Sequence, residues 1–392
     1  MNASERFRAV LEHREPDRVP VDFGKHIGSF HRDAYVALRE RLPELGLPEE
    51  PVILDRMAQN VRLDEALCRR LGIDFRWVVP NWIGVEPVEI GGAPGYLDMW
   101  RVPHQFVESG CHYVPVGCPL GDEELTLTRI EAHAWPNPQD PAMVEGLTEQ
   151  ARRWHEAGDV VVGADGIKTG ILQTAAQLRG YDKLFLDFAQ RPALAHALLE
   201  RISTLTDAMY RHYLRAVGQY VQVVVITDDQ GTQGSLMISP AMFRTFLKPH
   251  LRSLIATIKS ETEAAVLMHS DGAIEPIIED LIEIGVDILN PIQTTAKGMG
   301  DTGTLKARYG DRICFHGAID VQRVLRELEP ERVGDEVARR IRDLAPRGGY
   351  ILAPCHNIDA GITPDQTLAL FDAAREQGRY PLTPAPAKEA KA

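Results

Sequence analysis

From about residue 158 the chain alternates between short, nearly continuous apolar runs and longer stretches whose apolar residues recur with the spacing of a helix face. The runs are DVVVGAD (159–165), VQVVVITDD (221–229), AAVLMHSDG (264–272), VDILNPIQ (286–293), RICFHGAID (312–320) and YILAPCHNI (350–358). Continuous Val, Ile and Leu, rather than strict alternation with polar residues, marks strands covered on both faces in a parallel sheet. Between two of the runs, Ile274, Ile277, Ile278, Leu281 and Ile282 follow helical spacing while Glu275, Glu279 and Glu283 fall elsewhere, which predicts a helix with one buried stripe. Strand, helix, strand at this repeat length means right-handed βαβ units. Adding RVPVDFG (18–24) and GIDFRWVVP (72–80) to the six runs makes eight. The expected fold is α/β, a single (β/α)8 or TIM barrel over residues 1–381. Residues 90–150, rich in Gly, Pro and aromatics, read as an insertion of short strands and loops near the mouth, and 382–392 (LTPAPAKEAKA) as a disordered tail. A doubly wound open sheet is the rival, but neither GxGxxG after a first strand nor GxxxxGK[ST] is present.

In such a barrel the loops of all units converge at the C-terminal ends of the strands. Those ends carry Asp22, Asp165, Asp228 and Asp229, His269 and Asp271, Asn290 and Gln293, His316, and Cys355 and His356. His26 follows just past the first strand, in GKHIGSFHRDAY. Each has a structural account when taken singly: Asp caps a following helix, Asn closes a turn, and a lone His at a strand end is usually a hydrogen-bonded core residue. The recurrence of polar residues at the same place in unit after unit is what argues for a site.

Charge and cysteine usage narrow the partners. A net charge of -13, with no Lys/Arg run interleaved with aromatics, opposes binding to nucleic acid or an anionic membrane surface. The start, MNASERFRAVLEHREPDRVP, is charged throughout and no window approaches eighteen apolar residues, so a cytoplasmic location is expected. Five cysteines (68, 111, 118, 314 and 355) without CxxC suit a reducing compartment, where any important Cys acts as a thiol.

TDDQGTQGSLMISPAMFRTFLKPHL, LMHSDGAIEPIIEDLIEIGVDILNPIQ, RYGDRICFHGAID and GGYILAPCHNI resemble the uroporphyrinogen decarboxylase superfamily, in particular its branch near the cobalamin-dependent methyltransferases. The resemblance runs from ERFRAVLEHREPDRVPVDF to LFDAAREQGRY and implies a (β/α)8 barrel. It also implies two chemistries. The decarboxylases are cofactor-free and meet a tetrapyrrole's carboxylates with an Arg-rich R-Q-A-G-R-Y segment; here the matching region reads GKHIGSFHRDAY, and that motif is absent. The methyltransferase branch holds zinc through His-x-Cys on one strand end and Cys on a later one. This chain offers His269-Ser270-Asp271 and Cys355, so the expected metal set is His269, Asp271 and Cys355, with His316 or His356 as alternatives to Asp271. On that reading the protein moves a methyl group between a small methylated substrate and a corrinoid (cobalamin). The cofactor would be carried by a separate corrinoid protein, since no D-x-H-x-x-G signature is present. Asp228, Asp229 and His316 are the expected catalytic residues, and Asp22, His26, Asp165, Asn290, Gln293 and His356 the substrate-binding ones. Decarboxylation of a tetrapyrrole, and a binding member of the superfamily without catalysis, are the alternatives.

Overall fold

The computed structural model describes residues 1–167 and 170–382; the predicted tail beyond Leu382 lies outside the described residues. Seven of the apolar runs form parallel strands: β1 (Phe75–Val78), β2 (Val161–Ala164), β3 (Val223–Thr227), β4 (Ala265–His269), β5 (Ile288–Asn290), β6 (Cys314–Ile319) and β7 (Tyr350–Pro354). They are hydrogen-bonded side by side in chain order. The eighth position belongs to residues 19–23. There Asp22 N–H donates to Leu352 O (3.0 Å) and Leu352 N–H to Pro20 O (2.9 Å), while on the other side Asp74 N–H donates to Val21 O (2.8 Å). The segment thus joins β7 to β1 and closes the (β/α)8 barrel. Its ladder is irregular because Val21 N–H goes to the Asp74 carboxylate (2.9 Å) rather than to a strand carbonyl.

Alternation along each strand sorts side chains between the barrel interior and the helical shell. Phe75, Trp77, Val161, Val223, Val225, Leu267, Ile288, Cys314 and Ile351 fill the interior. Helix α1 (Ala3–Leu11) plugs its floor, started by a capping box between Asn2 and Glu5, with Phe7 packed edge-on against Phe75 at 5.4 Å. The helix predicted after β4 forms as a 3-10 turn (Glu275–Ile277) running into Ile278–Glu283, with Ile274, Ile277, Ile278 and Leu281 buried. No helix among the described residues is long and apolar enough to cross a membrane.

The insertion is more regular and shorter than expected. It builds a four-stranded antiparallel sheet of Glu86–Ile90, Ala93–Leu97, Pro103–Val107 and His112–Pro115. The predicted span of 90–150 runs too far, because helix Leu147–Ala157 packs on β1 and β2 as part of the barrel's outer layer. Its register with the other units was hidden by Gly, Pro and aromatic residues just before it.

At the floor, Asp74 is 4% exposed and receives Arg6 (2.8 Å) and a bidentate Arg18 fork (2.7 and 2.8 Å) besides the Val21 amide. Removing one partner of such a buried ionic cluster leaves the others uncompensated. Asp74→Ala is expected to cost about 3–5 kcal/mol in urea unfolding; a loss under about 1 kcal/mol would mean that the barrel closes without it.

Candidate active site

One layer above the apolar interior, the same alternation that points Leu267, Ile288 and Cys314 inward brings in His269, Asn290 and His316 two residues later. Trp77 joins them from β1, which requires Gly163 beside it: a Cβ there would come within 2.3 Å of the Trp77 ring. Asp22 arrives from the closing segment and is fully buried. One of its oxygens accepts Trp77 Nε1–H (2.8 Å); the other meets Lys25 Nζ (2.7 Å) and His316 Nε2 (2.8 Å). Burial alone would raise this carboxyl's pKa, but the Lys25 ammonium and the His316 N–H outweigh it and hold the group well below the usual range. Burial and Lys25 push His316 down to about 4, so its imidazole is neutral near pH 7.

Neutral His316 fixes the rest of the chain. Its Nε2–H donates to Asp22, so its Nδ1 accepts from Asn290 Nδ2 (2.7 Å), and Asn290 Oδ1 in turn accepts Nδ1–H of His269 (2.7 Å). His269 Nε2 is left with its lone pair directed outward, 3.8 Å from Asp229 Oδ1 and 3.8 Å from Asp271 Oδ2. His356, on the loop after β7, completes a group. One ligand atom each from His269, Asp271 and His356 lies within 4.8 Å of the others.

The remaining predicted residues divide between this group and the framework. Asp229 accepts from Asp271 N–H (2.8 Å) and Gln173 Nε2 (2.6 Å), and burial, opposed by His269, raises its pKa. Asp228, an expected catalytic residue, caps helix Ile171–Arg179 by accepting the N–H groups of Leu172 and Gln173 at 3.0–3.2 Å. That helix sits so close that a Cβ on Gly170 would lie 2.1 Å from Thr227 O. Burial still pushes Asp228 up to about 7. Gln293 Oε1 accepts Gly272 N–H (2.7 Å) and shapes the turn that presents Asp271. Asp165 accepts the backbone N–H and the Nδ1–H of His26 (both 2.7 Å), and His26 Nε2 has no partner among the described residues. Cys355 is the expected ligand that stands outside this group. Its thiol is 3% exposed, donates to Ile292 O (3.3 Å), is driven far from ionisation by burial, and is not part of the metal-competent group. Sequence reading also passed over Lys25 and Trp77, which anchor the whole chain; the spacing of Asp22 and Lys25 across a tight turn is the signal that pointed to one of them.

The sequence model described as uroporphyrinogen decarboxylase (URO-D) matches residues 97–377. The chain belongs to the URO-D family. Among curated members, this URO-D family chain is 26% identical over 277 residues to the uroporphyrinogen decarboxylase of Alkalilimnicola ehrlichii, covering 68% of this chain and 71% of that one. It is 23% identical over 191 residues to that of Magnetococcus marinus, covering 48% of this chain and 49% of the other, so it spans only about half the length of some curated relatives. Among solved structures it superposes on a methyltransferase from Methanosarcina mazei with a TM-score of 0.67 at 17% identity, covering 96% of this chain and 99% of that one, which shows a shared fold.

Protonating His316 would set a second donor against Asn290 Nδ2, so the folded URO-D family chain resists a proton that the unfolded chain accepts near pH 6.5. The unfolded state therefore binds more protons between about pH 6.5 and 4, and stability falls with pH across that window. For the metal-free protein the contribution is about 3 kcal/mol. His316→Gln, with no proton to gain, should show a visibly flatter unfolding free energy between pH 7 and 4; equal slopes would remove His316 as the titrating group.

Proposed function

We propose that this URO-D family protein is a zinc-dependent methyltransferase that moves a methyl group between a small substrate and a corrinoid carried by a separate protein. The observation that supports it most is the pre-oriented His269. Its Nδ1–H is committed through Asn290 to a buried chain ending at Asp22 and Lys25, and its Nε2 faces a carboxylate and a second imidazole. Metal-ligating histidines characteristically have their second nitrogen held in this way. Two imidazoles and a carboxylate match zinc's preference and leave its fourth position open for catalysis. Zinc held by His269, Asp271 and His356 would supply Lewis acidity, drawing electron density from the heteroatom that gives up or receives the methyl group.

The chain's own residues do the rest. Burial and Lys25 keep His316 neutral, Asp22 holds its proton on Nε2, and His316 and Asn290 keep the proton on His269 Nδ1 so that Nε2 stays a ligand. Asp229 fixes the Asp271 backbone and sits 3.8 Å from His269 Nε2, where it balances positive charge in the mouth. His26, oriented by Asp165, has its Nε2 available to contact substrate or to pass a proton. Tetrapyrrole decarboxylation fits less well, because the Asp22 carboxylate is already engaged by three partners and is fully buried.

Purified protein should carry about one zinc per chain, and His269→Ala or His356→Ala should abolish both tight zinc binding and methyl transfer to added corrinoid protein. Cys355→Ser should keep its zinc; if it loses zinc while His356→Ala retains it, the ligand set is the one first expected from the sequence. Asn290→Ala, which frees His269 to change tautomer, should weaken zinc binding about 10–100-fold in a competition titration with a chromogenic chelator. Zinc-free protein that turns over uroporphyrinogen would replace this reading with decarboxylation.

A further inference from the structure

Beside the mouth, the antiparallel sheet of the insertion roofs a cavity whose base is formed by Val79, Gly166 and Ile167, just past the ends of β1 and β2. Its walls are aromatic and sulfur-bearing, with Trp82, Tyr96, Trp100, Met57, Met99 and Met143. Four polar atoms of its lining side chains are buried with no hydrogen-bond partner among the described residues: Tyr96 Oη, Trp100 Nε1, His104 Nδ1 and Gln177 Oε1. Tyr96, Trp100 and His104 are each no more than 3% exposed. Buried polar atoms in folded proteins are nearly always paired, and four unmet ones on side chains lining one cavity point to a partner that enters it.

The four atoms also define what that molecule carries. Tyr96 O–H and Trp100 N–H are donors. His104 presents its Nε2 to Asp98 at 3.0 Å, so its Nδ1 is an acceptor, as is Gln177 Oε1. Among the described residues no Lys or Arg side chain lines the cavity, which disfavours an anion. A cation is disfavoured too, since the Tyr96 ring is stacked on His104 at 4.8 Å and already approached by the Arg56 guanidinium at 5.8 Å. Of the two carboxylates in the lining, Asp98 is spent on the backbone of Trp100 and Val102 and on His104, and Asp55 accepts the Ala58 N–H (2.7 Å). What remains is an uncharged, flat, largely apolar body bearing oxygen substituents that both accept and donate hydrogen bonds.

We propose that this cavity binds the body of the substrate, an uncharged ring compound with hydroxyl or alkoxy groups, and leads its reactive substituent past His26 toward the His269, Asp271 and His356 group. His26 lines the cavity, and Met57 in its wall also borders the cleft lined by His356, so the two places adjoin. As a substrate site, rather than a site for an unrelated ligand, the cavity rests on the methyl-transfer reading above.

Calorimetric titration of the full-length, metal-free protein separates the two. With 4-methoxyphenol, 4-methoxybenzoate and tetramethylammonium as probes, saturable binding is expected for the neutral phenol alone. Tyr96→Phe and Gln177→Leu, each removing one unmet polar atom without changing the cavity's bulk, should shift the phenol's Kd about 5-fold or more, with melting temperatures near wild type. Absence of saturable phenol binding, equal binding of the anion or cation, or an unchanged Kd in both variants would overturn the assignment and leave the cavity to water. Phenol binding in a protein that holds no zinc and transfers no methyl group would keep the cavity and remove the methyltransferase. Methyl transfer from a substrate whose KM is untouched by Tyr96→Phe and Gln177→Leu would keep the enzyme and remove the cavity.

Discussion

One buried carboxylate organises the upper half of this barrel. Asp22 reaches Trp77 on β1, His316 on β6 and Lys25 in the loop that follows it, so a single charge ties the closing segment to two strands that are not its neighbours in sequence. A lone ionised carboxylate at that depth would be prohibitively costly, and only full pairing makes it tolerable. The pairing then has directional consequences. With one His316 nitrogen committed, the other can only accept, the Asn290 amide can adopt only one orientation, and the His269 tautomer follows. Each bond polarises the next, as expected of a hydrogen-bonded chain in a low-dielectric interior.

The layer that carries this chain is rigid because of what lies below it. The apolar rings and branched side chains of β1 to β7 are packed from beneath by α1, and Asp74 fastens the closing segment at the floor much as Asp22 does at the top. A histidine presented from such a platform needs no loop ordering when its partner arrives, which is the condition for a precise ligand or catalytic group. The partners of His269 are drawn from a different class of structure. Asp271 and His356 sit on loops just past β4 and β7, partly exposed, where they can adjust to what they hold.

The insertion divides the mouth. Its antiparallel sheet carries polar edges and an aromatic underside and lies over the ends of β1 and β2, while the histidine chain occupies the side formed by β4 to β6. The two meet at His26, which Asp165 holds in place.

The apolar runs alone predicted the strands and the end of the barrel where polar residues gather, because backbone alternation and burial on both faces are local properties legible in a window of a few residues. They also placed His269, Asn290 and His316 at equivalent strand ends. What they could not decide was which neighbours face one another. Cys355 and His356 are adjacent in the bend just past β7, and only the path of the chain there decides that the imidazole joins the His269 group while the thiol turns to the Ile292 carbonyl. Asp228 and Asp229 are sorted in the same way, one spent on the end of a helix more than fifty residues earlier in the chain and the other facing His269. Lys25 and Trp77 became part of the site only through closure of the barrel, which brought a loop, a strand and the carboxylate between them into contact. Local pattern determines which residues reach the mouth, whereas the partners of each depend on contacts between segments tens to hundreds of residues apart, and those exist only once the barrel has closed.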